Sequence, residues 1–129
     1  MIILDTHAWL WWLADPDRLS PTARAALADA PALGVSTLSA WEVATLVRRG
    51  RISLDRDVRD WVRRAFSEDR IEAIAPDREV AVAAALLDGA TFPGDPADRF
   101  IFATAQSLDA PLVTRDERMR AFAPHATVW

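Results

Sequence analysis

The chain alternates short apolar runs with longer segments in which apolar residues recur at three- and four-residue spacing. Ile2–Leu4, Leu33–Val35, Ile71–Ile74, Leu112–Val113 and a weaker final run at Thr127–Trp129 read as strands. Between them, Trp9–Ala14, Thr22–Asp29, Leu38–Arg49, Val58–Phe66, Arg78–Leu87 and Ala97–Leu108 read as helices. Strands alternating with helices predict a mostly parallel sheet covered on both faces, a three-layer α/β/α sandwich. The segment Arg48–Leu54, RRGRISL, reads as a helix end, a glycine stop and a short extended piece, and Thr91–Pro96, TFPGDP, is the clearest break. No repeat, low-complexity tract or linker is evident. Residues 1–129 are therefore expected to form a single domain, long enough to hide roughly two-thirds of its chain surface.

Composition narrows the chemistry by exclusion. There are no cysteines, which removes disulfides, thiolate zinc sites and a Cys nucleophile. All fifteen basic residues are arginine, so Schiff-base chemistry and a P-loop lysine are also absent. With only His7 and His125, a two-His zinc motif on one helix is impossible. The formal charge of −4 offers no global positive field to attract nucleic acid. No secretory pattern opens the chain and no stretch reaches the ~20 apolar residues of a membrane span, so a cytoplasmic protein without membrane contact is expected. Any reaction must rest on carboxylates, hydroxyls and arginines.

Four acids stand where a strand or loop gives way to a helix: Asp5, Glu42, Asp98 and Asp116, with Asp95 just before Asp98. Each has a structural explanation. Ser39-x-x-Glu42 and Thr114-x-x-Glu117 fit capping boxes, and Asp95 before Pro96 fits a helix cap that puts Asp98 in the first turn. Taken together they are harder to dismiss, because a parallel sheet gathers all its strand C-termini along one edge. Two carboxylates ~6 Å apart repel by roughly 3 kcal/mol at an effective dielectric of about 20, whereas a good cap is worth about 1 kcal/mol. Such pairs require protons or a cation, and an oxygen-only ligand set suits Mg²⁺ or Mn²⁺. Helical spacing puts Asp98 on the face of Ile101, Phe102 and Ala105, directed at the sheet edge.

At this point MIILDTHAWLWWL, VSTLSAWEVATLVRRGRI, GDPADRFIFATAQ and LVTRDERM, in this order over residues 1–119, resemble the PIN-domain family, specifically the VapC-type toxins of toxin–antitoxin pairs. The resemblance implies a metal-dependent ribonuclease whose acids bind Mg²⁺ or Mn²⁺, an antitoxin protein partner and homodimerisation. It assigns the acidic cluster to Asp5, Glu42, Asp98 and Asp116, with Asp5 and Asp98 most directly on the metal. Asp95 is left between cap and outer ligand. Thr6 and Thr114 stand beside the first and last acids, and Arg99 is a candidate partner for an acid or a substrate phosphate. The opening run then becomes the central strand that delivers Asp5.

With no Cys, Lys or His pair, a metal-activated water is the simplest attacking group, aligned by Glu42, and it leaves 3′-hydroxyl and 5′-phosphate ends. Arg48, Arg49 and Arg51, and Arg63 and Arg64, form basic groups that serve equally well as solvated faces. Trp9, Trp11 and Trp12 are read as core first and interface second, and His7 as a local hydrogen-bonding residue. A haloacid-dehalogenase-like phosphatase would need an acid where His7 stands, and a receiver domain would need a late-strand lysine. The remaining rival is an inactive PIN-type module that binds RNA or protein without cutting.

Overall fold

In a computed structural model of the chain, which describes residues 1–92 and 94–129, five parallel strands form one sheet. They are β1 (Ile2–Leu4), β2 (Leu33–Ser36), β3 (Ile71–Ile74), β4 (Leu112–Val113) and β5 (Thr127–Val128). Their order is β3-β2-β1-β4-β5, so the opening run is the central strand, with Leu4 in register with Val35 on one side and Val113 on the other. Pro93, part of the break expected at Thr91–Pro96, lies outside the described residues.

Successive side chains on β1 face opposite ways, and that alternation separates two helical layers. Ile2 and Leu4 join Leu33, Val35 and Val113 against Trp9 of α1 (Thr6–Ala14), Leu27 of α2 (Pro21–Asp29), Val43 of α3 (Thr37–Arg48) and Ala65 of α4 (Val58–Ala65). Ile3 and Leu112 face Ile101, Phe102 and Ala105 of α6 (Pro96–Ser107) and Met119 of α7 (Glu117–Phe122). Outside α6 lies α5 (Arg78–Leu86), joined through Val80, Ala84 and Ala103. The result is the expected three-layer α/β/α arrangement.

Several local expectations need correction. The first helix starts at Thr6, three residues before the apolar pattern begins, because Asp5 caps it by accepting from the Ala8 N–H at 2.9 Å. Ser39 and Glu42 do not form a capping box: the third helix begins three residues earlier under Ser36, which accepts from Leu38 N. Thr114 and Glu117 do not form one either, since Asp116 caps α7 by accepting from Met119 N at 2.9 Å. That helix, six residues long, is signalled in the sequence only by the acids at its start and not by apolar spacing. The glycine stop at Gly50 does take the left-handed conformation, with φ of 70°.

Candidate active site

The topology places the ends of β1, β2 and β4 side by side, and the helices that follow them start at the same edge. Asp5 is the first residue beyond β1, Glu42 lies on α3 after β2, and Asp116 caps α7 after β4. Asp95 and Asp98 arrive on the start of α6. A cleft of about 360 Å³ is lined by all five of these carboxylates together with His7, Trp11, Leu46 and Arg115. One oxygen each of Glu42, Asp95 and Asp98 lies within 4.8 Å of the others.

Hydrogen bonds fix several of these groups. Asp5, only 7 % exposed, accepts from Ala8 N on one oxygen and from the Thr114 hydroxyl on the other. Thr114 Oγ1 in turn accepts from Asp116 N at 3.0 Å, so one hydroxyl joins the first acid to the last. Thr6 Oγ1 donates to Ser39 Oγ at 3.0 Å. Asp95 caps α6, its Oδ1 accepting from Ala97 N at 2.9 Å. Thr6, Ser39 and Thr114 are all buried, so their hydroxyls are held in fixed positions.

The electrostatics are those of acids crowded away from water. Burial raises Asp5 above the ordinary carboxylate range, against the pull of its Ala8 and Thr114 hydrogen bonds. Burial likewise raises Glu42, opposed by Thr6. Asp98 is pushed up to about 8 by burial first and then by Asp95, Glu42, Asp5 and Asp116. A carboxyl that holds its proton near neutrality among four other acids marks a site that lacks positive charge. The donors are hard oxygens, without sulfur, and this suits a hard divalent cation.

Two expectations are redirected. Arg99 does not turn to the acids: its guanidinium donates to the carbonyls of Ala84 and Leu87 at 3.2 and 3.0 Å, closing the C-terminal end of α5, and lies over Phe92. Its length lets it reach a neighbouring helix end, where free carbonyls compete effectively for a cation. His7 makes no side-chain hydrogen bond among the described residues and packs on Trp11 instead. Arg115 and Trp11, both in the wall of the cleft, were not singled out as site residues. The position of Arg115 between Thr114 and Asp116 was the available signal.

A parallel α/β/α sandwich with a carboxylate cluster at the C-terminal edge of its sheet defines a class of acidic centres that could hold a cation. The chain belongs to the PIN-domain family, whose model matches residues 2–123. It is 41 % identical over 120 residues to ribonuclease VapC22 of Mycobacterium tuberculosis, covering 93 % of this chain and 90 % of that protein. Its fold is that of a toxin–antitoxin complex from Klebsiella pneumoniae, with a TM-score of 0.70, 21 % identity and coverage of 100 % of this chain and 97 % of the other. It also matches VapBC2 from Rickettsia felis bound to a promoter DNA fragment, with a TM-score of 0.68, 16 % identity and coverage of 98 % and 97 %.

Proposed function

We propose that the chain is a VapC-type endoribonuclease, the toxin of a toxin–antitoxin pair, acting as one nuclease domain over residues 1–129 and dependent on Mg²⁺ or Mn²⁺. The observation that carries this reading is the convergence of five carboxylates in one cleft, with Asp98 held up to about 8 for want of positive charge. The identity to a named ribonuclease over nearly the whole chain supports the substrate class.

Asp5 and Asp98 would hold the cation, with Glu42, Asp116 and Asp95 as further oxygen donors towards it. When bound, the ion supplies positive charge to a phosphate oxygen and acidity to a coordinated water. Glu42, with its own affinity for protons raised by burial, would align a water at the site and accept its proton. Thr114 keeps Asp5 and Asp116 at a set separation. Hydrolysis by water requires no 2′-hydroxyl and leaves 3′-hydroxyl and 5′-phosphate ends.

The antitoxin has a separate surface available. Between α3 and α4 runs an open, mostly apolar groove of about 680 Å³, lined by Trp41, Ala44, Val62 and Phe66, with Arg59 and Arg63 at its rim. An antitoxin segment with an apolar face and acidic flanks would suit it. Homodimerisation and a cytoplasmic location complete the proposal; no helix among the described residues is long and apolar enough to cross a membrane.

The test is RNA cleavage with Mg²⁺ or Mn²⁺, with and without chelator, by the wild type and by Asp5→Asn and Asp98→Asn proteins of unchanged fold. Cation-dependent cutting with 5′-phosphate ends, lost in both variants, is expected. Cyclic phosphate ends would refute the water mechanism. RNA binding without cutting would favour the inactive-module reading.

A further inference from the structure

The acidic cleft contains one arginine. Arg115 lines it beside the five carboxylates, yet among the described residues it forms no ion pair with any of them. Its guanidinium lies instead over the indole of Trp11, 5.8 Å from the ring centre. Arg18 sits 4.7 Å from the centre of the same ring, and the His7 ring packs against it at 5.7 Å. Trp129 supports it at 5.9 Å. One half-buried tryptophan thus gathers three basic groups at the wall of an otherwise anionic cleft.

An arginine sharing a cleft with carboxylates is expected to fold onto one in a bidentate pair. The attraction of the guanidinium to the indole face holds Arg115 away from them. Other arginines are already engaged: Arg70 and Arg99 on helix-end carbonyls, Arg56 on Asp55 and Arg63 on Asp60. Arg115 is exposed and keeps its fork of donors free, and that fork matches the geometry of a phosphodiester. A protein of net charge −4 that handles RNA needs such a local cationic track, because its overall field repels the substrate.

We propose that Arg115, positioned by Trp11, is a substrate-binding residue that grips a backbone phosphate of RNA next to the one held at the acidic centre, with Arg18 continuing the track. The inference rests on the ribonuclease reading for its substrate class, but it concerns binding and can fail independently of cleavage.

The experiment measures binding of a fluorescein-labelled single-stranded RNA by anisotropy over a range of salt concentrations, with Ca²⁺ replacing Mg²⁺, and cleavage separately with Mg²⁺. Arg115→Ala is expected to bind about tenfold more weakly, as for loss of a charge-assisted hydrogen bond. Its plot of log affinity against log salt should be shallower by about 0.7, the value for one phosphate contact on a single strand. Arg115→Lys should keep the slope. Trp11→Leu should behave like Arg115→Ala and Trp11→Phe like the wild type, while Arg63→Ala, in the other groove, should change little. In cleavage, Arg115→Ala should raise KM and leave kcat near wild type. Wild-type affinity and slope in Arg115→Ala would overturn the inference and leave the nuclease reading intact. RNA binding that depends on Arg115 in a protein that cuts nothing would do the reverse.

Discussion

Removing an acid from the centre should make the metal-free protein more stable. Asp98 has a carboxyl pushed up to about 8 in the folded chain, against an ordinary value of 3.8. A raised folded value means that the native state binds more protons than the unfolded chain between those two points, so stability falls as pH rises through that window and levels off above it. Keeping a proton on Asp98 at pH 7, where the unfolded chain has released it, costs about 4 kcal/mol. Screening at a side chain that retains some exposure reduces this to ~2 kcal/mol. Asp98→Asn removes the titration while keeping the shape. In chelator at pH 7–8, the variant should therefore melt about 8 °C above the wild type, at about 4 °C per kcal/mol for a chain of this size. At pH 4 the difference should nearly vanish. Mn²⁺ should reverse the order at neutral pH, because a cation at a hundred times its dissociation constant stabilises the wild type by about 2.7 kcal/mol, and the variant has lost a ligand. Thermal melts in chelator and in Mn²⁺ from pH 4 to 9 provide the measurement. A variant equal to or less stable than the wild type in chelator at pH 8 would refute the electrostatic account.

The other expectations are simpler. Thr114→Val removes the donor to buried Asp5 and the acceptor for Asp116 N; chemical denaturation should show a loss of about 1–3 kcal/mol, and calorimetry weaker Mn²⁺ binding. Arg99→Ala breaks the closure of α5 at Ala84 and Leu87. It should lower stability by roughly 1–2 kcal/mol, while a Mn²⁺ titration matches the wild type; a large loss of ion affinity would return Arg99 to the site. Gly34→Ala puts a Cβ within 2.5–2.9 Å of the side-chain ends of Ile3, Ile74 and Met1. It should cost about 1–3 kcal/mol of stability, read by denaturant midpoint, because three neighbours must move together.

Much of this architecture is legible from hydrophobic spacing because a parallel sheet buried on both faces leaves nearly continuous apolar strands, as in Ile2–Leu4 and Leu33–Val35. The order of the strands is not, since Ile2, Leu33 and Leu112 are equally apolar and only packing decides which is central. The acids Asp5, Glu42, Asp98 and Asp116 stand out by position after strands. The fate of Arg99 does not, because a long arginine on the first turn of α6 has an acid and a helix end within reach, and only the tertiary placement of α5 selects the helix end. The short α7 shows in the sequence only through its capping acids, because a six-residue helix has too few turns to display a period. Trp11 and Arg115 are far apart in sequence, and nothing in either segment predicts that one lies on the other.

For an acid at a helix start, capping the helix and holding a cation are compatible duties. A carboxylate has two oxygens. Asp5, Asp95 and Asp116 each give one to a helix N-terminus, accepting from Ala8, Ala97 and Met119 respectively. The cap fixes the side chain and thereby aims the second oxygen. Asp98 lies beyond the cap, in the first turn of α6, and among the described residues it accepts no hydrogen bond. It therefore bears the repulsion of the others unrelieved. The three capping acids supply a rigid frame, and Asp98, crowded by Asp95, Glu42, Asp5 and Asp116, makes the centre unfavourable near neutrality when no cation is bound. Binding a cation there relieves most strain at Asp98, which is why its removal should affect ion affinity and metal-free stability in opposite directions.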